Sequence, residues 1–169
     1  MVVAPDAVKM DASDLNKIKV LFEEQINQGL HPGALLAVYR HGNLVLDLHG
    51  GIASQESLTP VQNDSMFVLF SSTKAMTAAC LHVLWERGKL SWDDRVAQHW
   101  PGFAKNNKDQ ITIRHILSHQ GGFPETPSEL TWRKWLDWEA VVTAMENITP
   151  EFAPGQVMAY HPRNYGWMI

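Results

Sequence analysis

The fold of this chain is decided at residues 67–79, FVLFSSTKAMTAA. The four apolar residues at its start predict a strand or an extended segment, and the apolar run that follows predicts a long helix ending near Arg87. Ser71 lies at the junction, and Lys74 follows three residues later. Side chains three positions apart on a helix share a face. We therefore expect both to point into one pocket at the helix N-terminus.

The pairing of Ser71 with Lys74 suggests nucleophilic chemistry. A serine hydroxyl attacks well only when a base removes its proton, and an amine can do so only while it is uncharged. Burial lowers the pKa of an amine, and the positive end of a helix dipole disfavours an ammonium group. Because the helix after Lys74 is almost wholly apolar, we predict that it is buried and desolvates the lysine. A simpler interpretation stays open, since serine is a common helix cap and the Ser-x-x-Lys spacing is short.

Composition narrows the class of protein. The 169 residues suit one domain of ordinary size. A net charge of −4 argues against a surface for nucleic acids or anionic membranes. The single cysteine, Cys80, excludes a disulfide framework and is expected to be a small buried hydrophobe.

The chain ends supply two further expectations. The sequence has no apolar run long enough to cross a bilayer, and its first residues do not resemble a secretory signal, so a cytoplasmic location is predicted. At the other end, residues 165–169, YGWMI, stop within an apolar segment without a cap or a polar tail. From this we expect the polypeptide to be cut at Ile169.

The remaining sequence predicts a helix, a hairpin and further helices. Ser13 is the expected cap of the first helix. Residues 34–40 and 44–49 flank His41-Gly42-Asn43, a pattern typical of a β-hairpin in which Gly42 and Asn43 supply the positive φ angles. The later segments are predicted as a helix over 111–119, a helix capped by Thr131, and an exposed loop over 105–109.

The strands are too few for a complete sheet. A hairpin alone is marginally stable in water, so we expect its missing neighbours to come from residues beyond Ile169. The predicted organisation is one domain that is incomplete in this chain. Residues 12–68, approximately, would hold the first helix and the first strands. Residues 69–169, approximately, would hold the Ser71 helix and a helical region.

Four short motifs follow one another along the chain, and their order is more specific than any one of them. They are Ser71–Lys74, Leu90–Val96 (LSWDDRV), Ile111–Gly122 (ITIRHILSHQGG), and Pro154-Gly155 ahead of Tyr160. This series resembles the serine β-lactamase and penicillin-binding-protein superfamily, especially its class C-like branch with the family VIII-type carboxylesterases. The resemblance implies an α/β fold of the α+β type, with an antiparallel sheet flanked by helices plus a helical region. It covers the N-terminal part of that fold only.

The resemblance also implies roles for three residues. Ser71 would be the acylated nucleophile, Lys74 its proton partner, and Tyr160 the motif tyrosine that moves protons to and from the leaving group. The Ser71 backbone N–H and an N–H from a late strand would form the oxyanion hole. No cofactor and no metal is required, and the expected partner is a small ester substrate.

The sequence departs from the β-lactamase pattern in two places. In that pattern an asparagine stands two residues after the tyrosine, whereas this chain has Pro162 there and Asn164 at a different spacing. The third family motif, a lysine- or histidine-threonine-glycine on a late strand, is missing. The first departure favours an esterase over a β-lactamase or a D-Ala-D-Ala peptidase. The second leaves open a non-catalytic scaffold. We expect the rest of the polypeptide, as a continuing or second chain, to be needed for activity and solubility.

Two side-chain patterns carry alternative interpretations. His115 and His119 are four residues apart on a predicted helix and could bind one metal, but packing and capping near Gly121-Gly122 is the favoured explanation. The tryptophans at 132, 135 and 138 are spaced along one helical face. We interpret them as a pocket wall rather than a partner-binding stripe.

Overall fold

The computed structural model describes residues 1–169 and separates them into two compact units, residues 1–68 and 69–169. The first unit contains helix α1 (Ala12–Asn27) and a three-stranded antiparallel sheet. The order of the strands is β1 (Gly33–Arg40), β2 (Asn43–Ser54) and β3 (Thr59–Pro60). The predicted combination of helices with an antiparallel sheet is confirmed.

The predicted hairpin joins β1 to β2 through a tighter turn than expected. Arg40 pairs with Asn43, so only His41 and Gly42 remain in the turn. These two residues have φ angles of 49° and 77°, as a two-residue hairpin loop requires. The assignment of a positive φ to Asn43 was therefore wrong. Strand β2 also continues beyond its predicted end, to Ser54. Within it Gly51 has a φ of 81°, and a side chain there would collide with the Pro32 carbonyl.

Helix α1 begins two residues earlier than predicted. Asp11 is the cap, and its carboxylate accepts the Ser13 backbone N–H at 2.7 Å. Ser13 therefore lies inside the first turn instead of capping it. The helix contributes Leu15 to a small core with Val8 and Val45.

The second unit is helical. A 3₁₀ turn over Phe70–Ser72 precedes α2 (Thr73–Glu86), and the later helices are α3 (Val96–His99), α4 (Ile113–Leu117), α5 (Trp138–Asn147) and α6 (Asn164–Met168). Its core is built mainly from the segments after α2. The largest fully buried apolar side chains are those of Phe103, Ile111, Ile116, Phe123, Val141 and Met145.

Residues 67–70 form no strand, contrary to prediction. Residues 66–69 have no regular secondary structure, and Phe70 opens the 3₁₀ turn with a φ of 46°. A strand requires a hydrogen-bonding neighbour, and these residues pair with none of the three strands. The apolar composition of the segment was therefore a misleading signal.

Helix α2 has the predicted extent but not the predicted burial. None of its residues is buried, Met76 and Trp85 are 60% and 50% exposed, and Cys80 is exposed as well. The predictions of a buried helix and a buried cysteine were wrong for this chain. Burial requires a surface to pack against, and from α2 only Leu81 packs on the core of the second unit.

Two later predictions also need correction. The helix expected from Thr131 begins instead after Asp137, whose carboxylate accepts the Ala140 N–H at 3.1 Å and caps α5. The supposedly exposed loop contains the fully buried Lys108. Its ammonium donates to the carbonyls of Glu146 and Ile148 at 2.8 and 2.7 Å, which compensates for its burial.

None of the helices combines the length and the apolar character that a bilayer crossing requires.

Candidate active site

Ser71 is placed by an unusual backbone turn. Phe70 adopts a φ of 46°, a left-handed conformation that is uncommon for a bulky residue. The Phe70 side chain is 83% exposed, so packing against the core does not explain the conformation. The turn brings Ser71 to the start of α2, one turn away from Lys74.

Two side chains, those of Tyr160 and Lys74, meet at the Ser71 hydroxyl. Tyr160 donates its phenolic hydrogen to Ser71 Oγ at 2.6 Å, and Lys74 Nζ donates to the same oxygen at 3.1 Å. Lys74 Nζ also donates to the Pro162 carbonyl at 2.7 Å. The structure thus brings together the three residues singled out in the sequence, although Tyr160 lies 89 positions after Ser71.

The environment of Lys74 differs from the buried apolar pocket that was expected. Its side chain is only half-buried, and the flanking residues Leu69, Phe70 and Met76 are all exposed. Polar and aromatic groups surround the amine instead. Its Nζ lies 4.8 Å from the centre of the Tyr160 ring and 5.9 Å from that of Tyr165.

Tyr160 is electrostatically tuned by its neighbours. The Lys74 amine, and after it the hydrogen bond with Ser71, lowers the pKa of the Tyr160 phenol below its ordinary value. Both effects apply to the phenolate, which accepts hydrogen bonds from these groups instead of donating one and can therefore take up a proton. A phenol adjusted in this way can serve as a base toward the Ser71 hydroxyl and later as an acid.

Asn164 does not face this site. Its side chain is fully buried, and its Nδ2 donates to the carbonyls of Phe123 and Glu125 at 3.1 and 2.7 Å. It therefore holds the loop after α4 and cannot replace the amide missing at position 162. Pro162 contributes its backbone carbonyl to Lys74, not a side chain to a substrate.

Two histidines support the Tyr160 segment, a role that was not predicted from the sequence. His161 is fully buried, and its Nε2 accepts the Phe123 N–H at 3.2 Å. Burial, and to a lesser degree the nearby His119, lowers the pKa of His161 to about 4. His119 contacts the same segment through its ring and its carbonyl. Only spatial proximity reveals this role, because 42 positions separate the two histidines.

The two histidines considered for a metal have other contacts. His115 takes part in the capping box of α4, where its Nδ1 accepts the Thr112 N–H at 3.2 Å. Nδ1 of His119 accepts the His161 N–H at 3.0 Å. The chain has no group of three histidine, cysteine, aspartate or glutamate residues placed to hold a metal ion.

The three tryptophans do not share one environment. Trp132 and Trp138 are largely exposed. Trp135 donates its indole N–H to the Leu130 carbonyl at 3.0 Å and carries the Arg163 guanidinium 4.7 Å from its ring centre. Of the three, Trp135 is therefore the one that contacts the residue after Pro162, and the predicted common wall is not formed.

Comparison with known proteins identifies the family. Residues 18–169 match the family model described as Beta-lactamase. The chain belongs to the beta-lactamase family. It is 34% identical over 140 residues to the Esterase/beta-lactamase LipL of Mycobacterium tuberculosis, a match that covers 81% of this chain and 32% of the relative.

Solved structures of the beta-lactamase family share its fold. A penicillin-binding protein homologue from Caulobacter crescentus superposes with a TM-score of 0.83 at 33% identity, over 99% of this chain and 43% of the other. A family VIII carboxylesterase gives a TM-score of 0.81 at 30% identity, over 90% and 42% of the two chains. The predicted resemblance and fold class are confirmed. The chain spans about a third of the length of the curated relatives it matches, 32% and 31% for the first two.

Proposed function

We propose that this chain carries the nucleophile-bearing part of a serine carboxylesterase that hydrolyses small esters through an acyl-enzyme. The observation that supports it best is the convergence of Tyr160 and Lys74 on Ser71 Oγ, at 2.6 and 3.1 Å. Helix capping alone does not explain this arrangement, because Ser71 receives two hydrogen bonds from side chains that can also move protons.

The chemistry follows from these contacts. The Tyr160 phenolate, favoured by the neighbouring Lys74 amine, removes the Ser71 proton as Oγ bonds to the ester carbonyl carbon. The Ser71 backbone N–H stabilises the resulting oxyanion. Collapse of this intermediate breaks the bond to the alkoxy oxygen, which leaves as the alcohol with the proton held by Tyr160. Water then attacks the acyl-enzyme, gives its proton to the same base and releases the acid, and Ser71 regains its hydrogen.

The surroundings of the site favour esters over β-lactams. Position 162 is a proline, and the nearby Asn164 is buried and engaged with backbone carbonyls. No side-chain amide from these positions can hold the acylamide of a β-lactam. The second candidate is a β-lactamase or D-Ala-D-Ala peptidase, which the names of the relatives support, since LipL is described as both esterase and beta-lactamase.

A protein partner also belongs to the proposal. Helix α2 directly follows the turn that carries Ser71 and yet buries none of its residues, and such an apolar surface is typical of an interface. We propose that the rest of a β-lactamase-like domain, as a continuing or second chain, covers α2 and completes the oxyanion hole. The 169 residues alone would then have little activity. A non-catalytic scaffold is the competing interpretation.

Ester hydrolysis by Ser71→Ala and Ser72→Ala tests the catalytic role. Hydrolysis of p-nitrophenyl butyrate would be followed for both variants, with the protein in its complete native form. Ser72 is a matched control because its side chain makes no capping hydrogen bond. We expect Ser71→Ala to lose about 1,000-fold or more, and Ser72→Ala to stay close to wild type.

Each other outcome is equally informative. Full turnover by Ser71→Ala would refute the nucleophile assignment. Nitrocefin hydrolysis at a rate comparable to that of the ester would favour the β-lactamase alternative. The absence of any turnover in the wild type would favour the scaffold.

A further inference from the structure

His119 forms hydrogen bonds with the Tyr160 segment on both sides of the tyrosine. Its backbone carbonyl accepts the Ala159 N–H at 3.0 Å, and its ring Nδ1 accepts the His161 N–H at 3.0 Å. The imidazole also packs against the tyrosine ring, with 4.7 Å between the ring centres. One residue thus fixes the backbone before and after Tyr160 as well as its ring.

The backbone of His119 has an unusual conformation that allows these two hydrogen bonds. Its φ is 60°, a left-handed value that is unfavourable for a residue with a side chain. The conformation follows directly on the end of α4 and turns both the carbonyl and the ring toward the Tyr160 segment. The same conformation closes the C-terminal end of α4, where the Gln120 N–H donates to the His115 carbonyl at 2.7 Å and the His119 N–H donates to the Ile116 carbonyl at 3.1 Å. The hydrogen bonds to residues 159 and 161 are added to these.

The hydrogen bond from the His161 N–H to the ring requires a neutral imidazole. Nδ1 can accept a hydrogen bond only while it carries no proton, so the neutral ring must hold its hydrogen on Nε2. The titratable and charged groups that face the ring are Lys74 from α2, Tyr160 and His161 from their shared segment, and Tyr165 from α6. Burial, and after it the charge of Lys74, lowers the pKa of His119. Both effects therefore favour the accepting form at neutral pH.

We propose that His119 is a positioning residue that holds the Tyr160 hydroxyl against Ser71 through its neutral Nδ1, and that protonation of the ring releases this hold in acid. The consequence for turnover rests on the proposed function of Ser71. The positioning itself does not, because it can be observed without a substrate.

The first test uses NMR to measure the hydrogen bond between His119 Nδ1 and the His161 N–H directly. In ¹⁵N-labelled wild-type protein near neutral pH, we expect an unprotonated Nδ1 on His119 and a scalar coupling across the hydrogen bond to the His161 amide nitrogen. Acidification below the ordinary histidine pKa should abolish the coupling and shift the Tyr160 ring signals in step. A protonated Nδ1 at neutral pH, or Tyr160 signals that ignore the titration of His119, would overturn the proposal.

The second test compares two substitutions that both tolerate a left-handed backbone. His119→Asn places an oxygen acceptor near the position of Nδ1, whereas His119→Gly relieves the backbone and removes the acceptor. We expect His119→Gly to lower kcat by about 100-fold with a much smaller change in KM, in the range of a misplaced general base. His119→Asn should recover most of that loss and, because asparagine does not titrate, should flatten the acid limb of the kcat profile.

The outcomes of the two tests separate the two proposals. Equal kcat values and equal acid limbs in both variants and the wild type would contradict the positioning role. If the wild type has no turnover, the proposed function fails, and the NMR experiment on the wild type still decides whether His119 holds Tyr160. The NMR test also decides the matter if His119→Gly does not fold.

Discussion

Two regions of the second unit are both rich in apolar residues and have opposite environments. Helix α2 buries none of its residues, although most of them are apolar. The core formed by the segments after it excludes solvent completely from Phe103, Ile111 and Met145. The difference shows that apolar character predicts a need for a packing partner, and not that the partner lies within these 169 residues.

The candidate site draws on both regions. Ser71 and Lys74 belong to the exposed helix and the turn before it, whereas Tyr160 comes from a segment anchored by His119 and by the buried His161. The nucleophile is thus attached to the less packed region and the motif tyrosine to the better packed one. Substitutions in each region should therefore separate their contributions to stability.

The largest expected difference is between two methionines. Met145 is fully buried and Met76 is 60% exposed, so replacement of each by alanine compares the same chemical change in both regions. Met145→Ala should lower the free energy of unfolding by about 2–5 kcal/mol, and Met76→Ala should change it by about 0.5 kcal/mol or less. Urea unfolding followed by circular dichroism would measure both.

This pair also tests whether α2 is covered. A loss of several kcal/mol for Met76→Ala in the isolated chain would show that α2 packs on a surface that the structure does not contain. The same substitution in a preparation that includes the rest of the domain should become costly if our proposal about the partner is correct.

The second expected effect is a loss of stability in acid. The pKa of His161 falls from 6.5 to about 4 on folding, because the ring is buried. A depressed pKa means that the unfolded chain binds the proton more readily, so its contribution is present above pH 6.5 and is lost as the pH falls toward 4. The shift corresponds to about 3 kcal/mol.

Unfolding by urea at a series of pH values would reveal this term, and His161→Gln provides the control. The variant should show a smaller fall in stability than the wild type between pH 6.5 and 4. Parallel curves for the two proteins would exclude His161 as the source.

The smallest expected difference concerns two helix caps. The Thr112 hydroxyl accepts the His115 N–H at 3.2 Å at the start of α4, whereas Ser72 stands at the start of α2 without a side-chain capping bond. Thr112→Ala should therefore cost about 1 kcal/mol, and Ser72→Ala almost nothing. Thermal unfolding would detect the difference, and equal losses would show that α2 is capped in solution in a way the structure does not show.

Local patterns in the sequence predicted local structure well. The hairpin around Gly42 and the helix after Ser71 follow from turn chemistry and from hydrophobic runs, and the i,i+3 spacing was enough to place Lys74 beside Ser71. Tyr160 could be linked to them only through the order of the family motifs. Periodicity carries no information about a contact between residues that are 89 positions apart.

The failed predictions share a physical cause. Residues 67–70 were expected to form a strand and Cys80 to be buried, but both expectations depended on neighbours that these segments lack in the structure. His119 was weighed as a metal ligand and not as a support for Tyr160. Its role depends on a left-handed backbone conformation and on an amide 42 positions away. Neither can be predicted from the residues around it.

The catalytic assignment itself can be tested most directly with a fluorophosphonate that modifies activated serines. With the protein in its complete native form, we expect one adduct by intact mass, mapped to Ser71, and a labelling rate reduced by about 100-fold or more in Tyr160→Phe. Ser72 should stay unmodified. Labelling of another serine, or an unchanged rate in Tyr160→Phe, would contradict the central claim that Tyr160 and Lys74 activate Ser71.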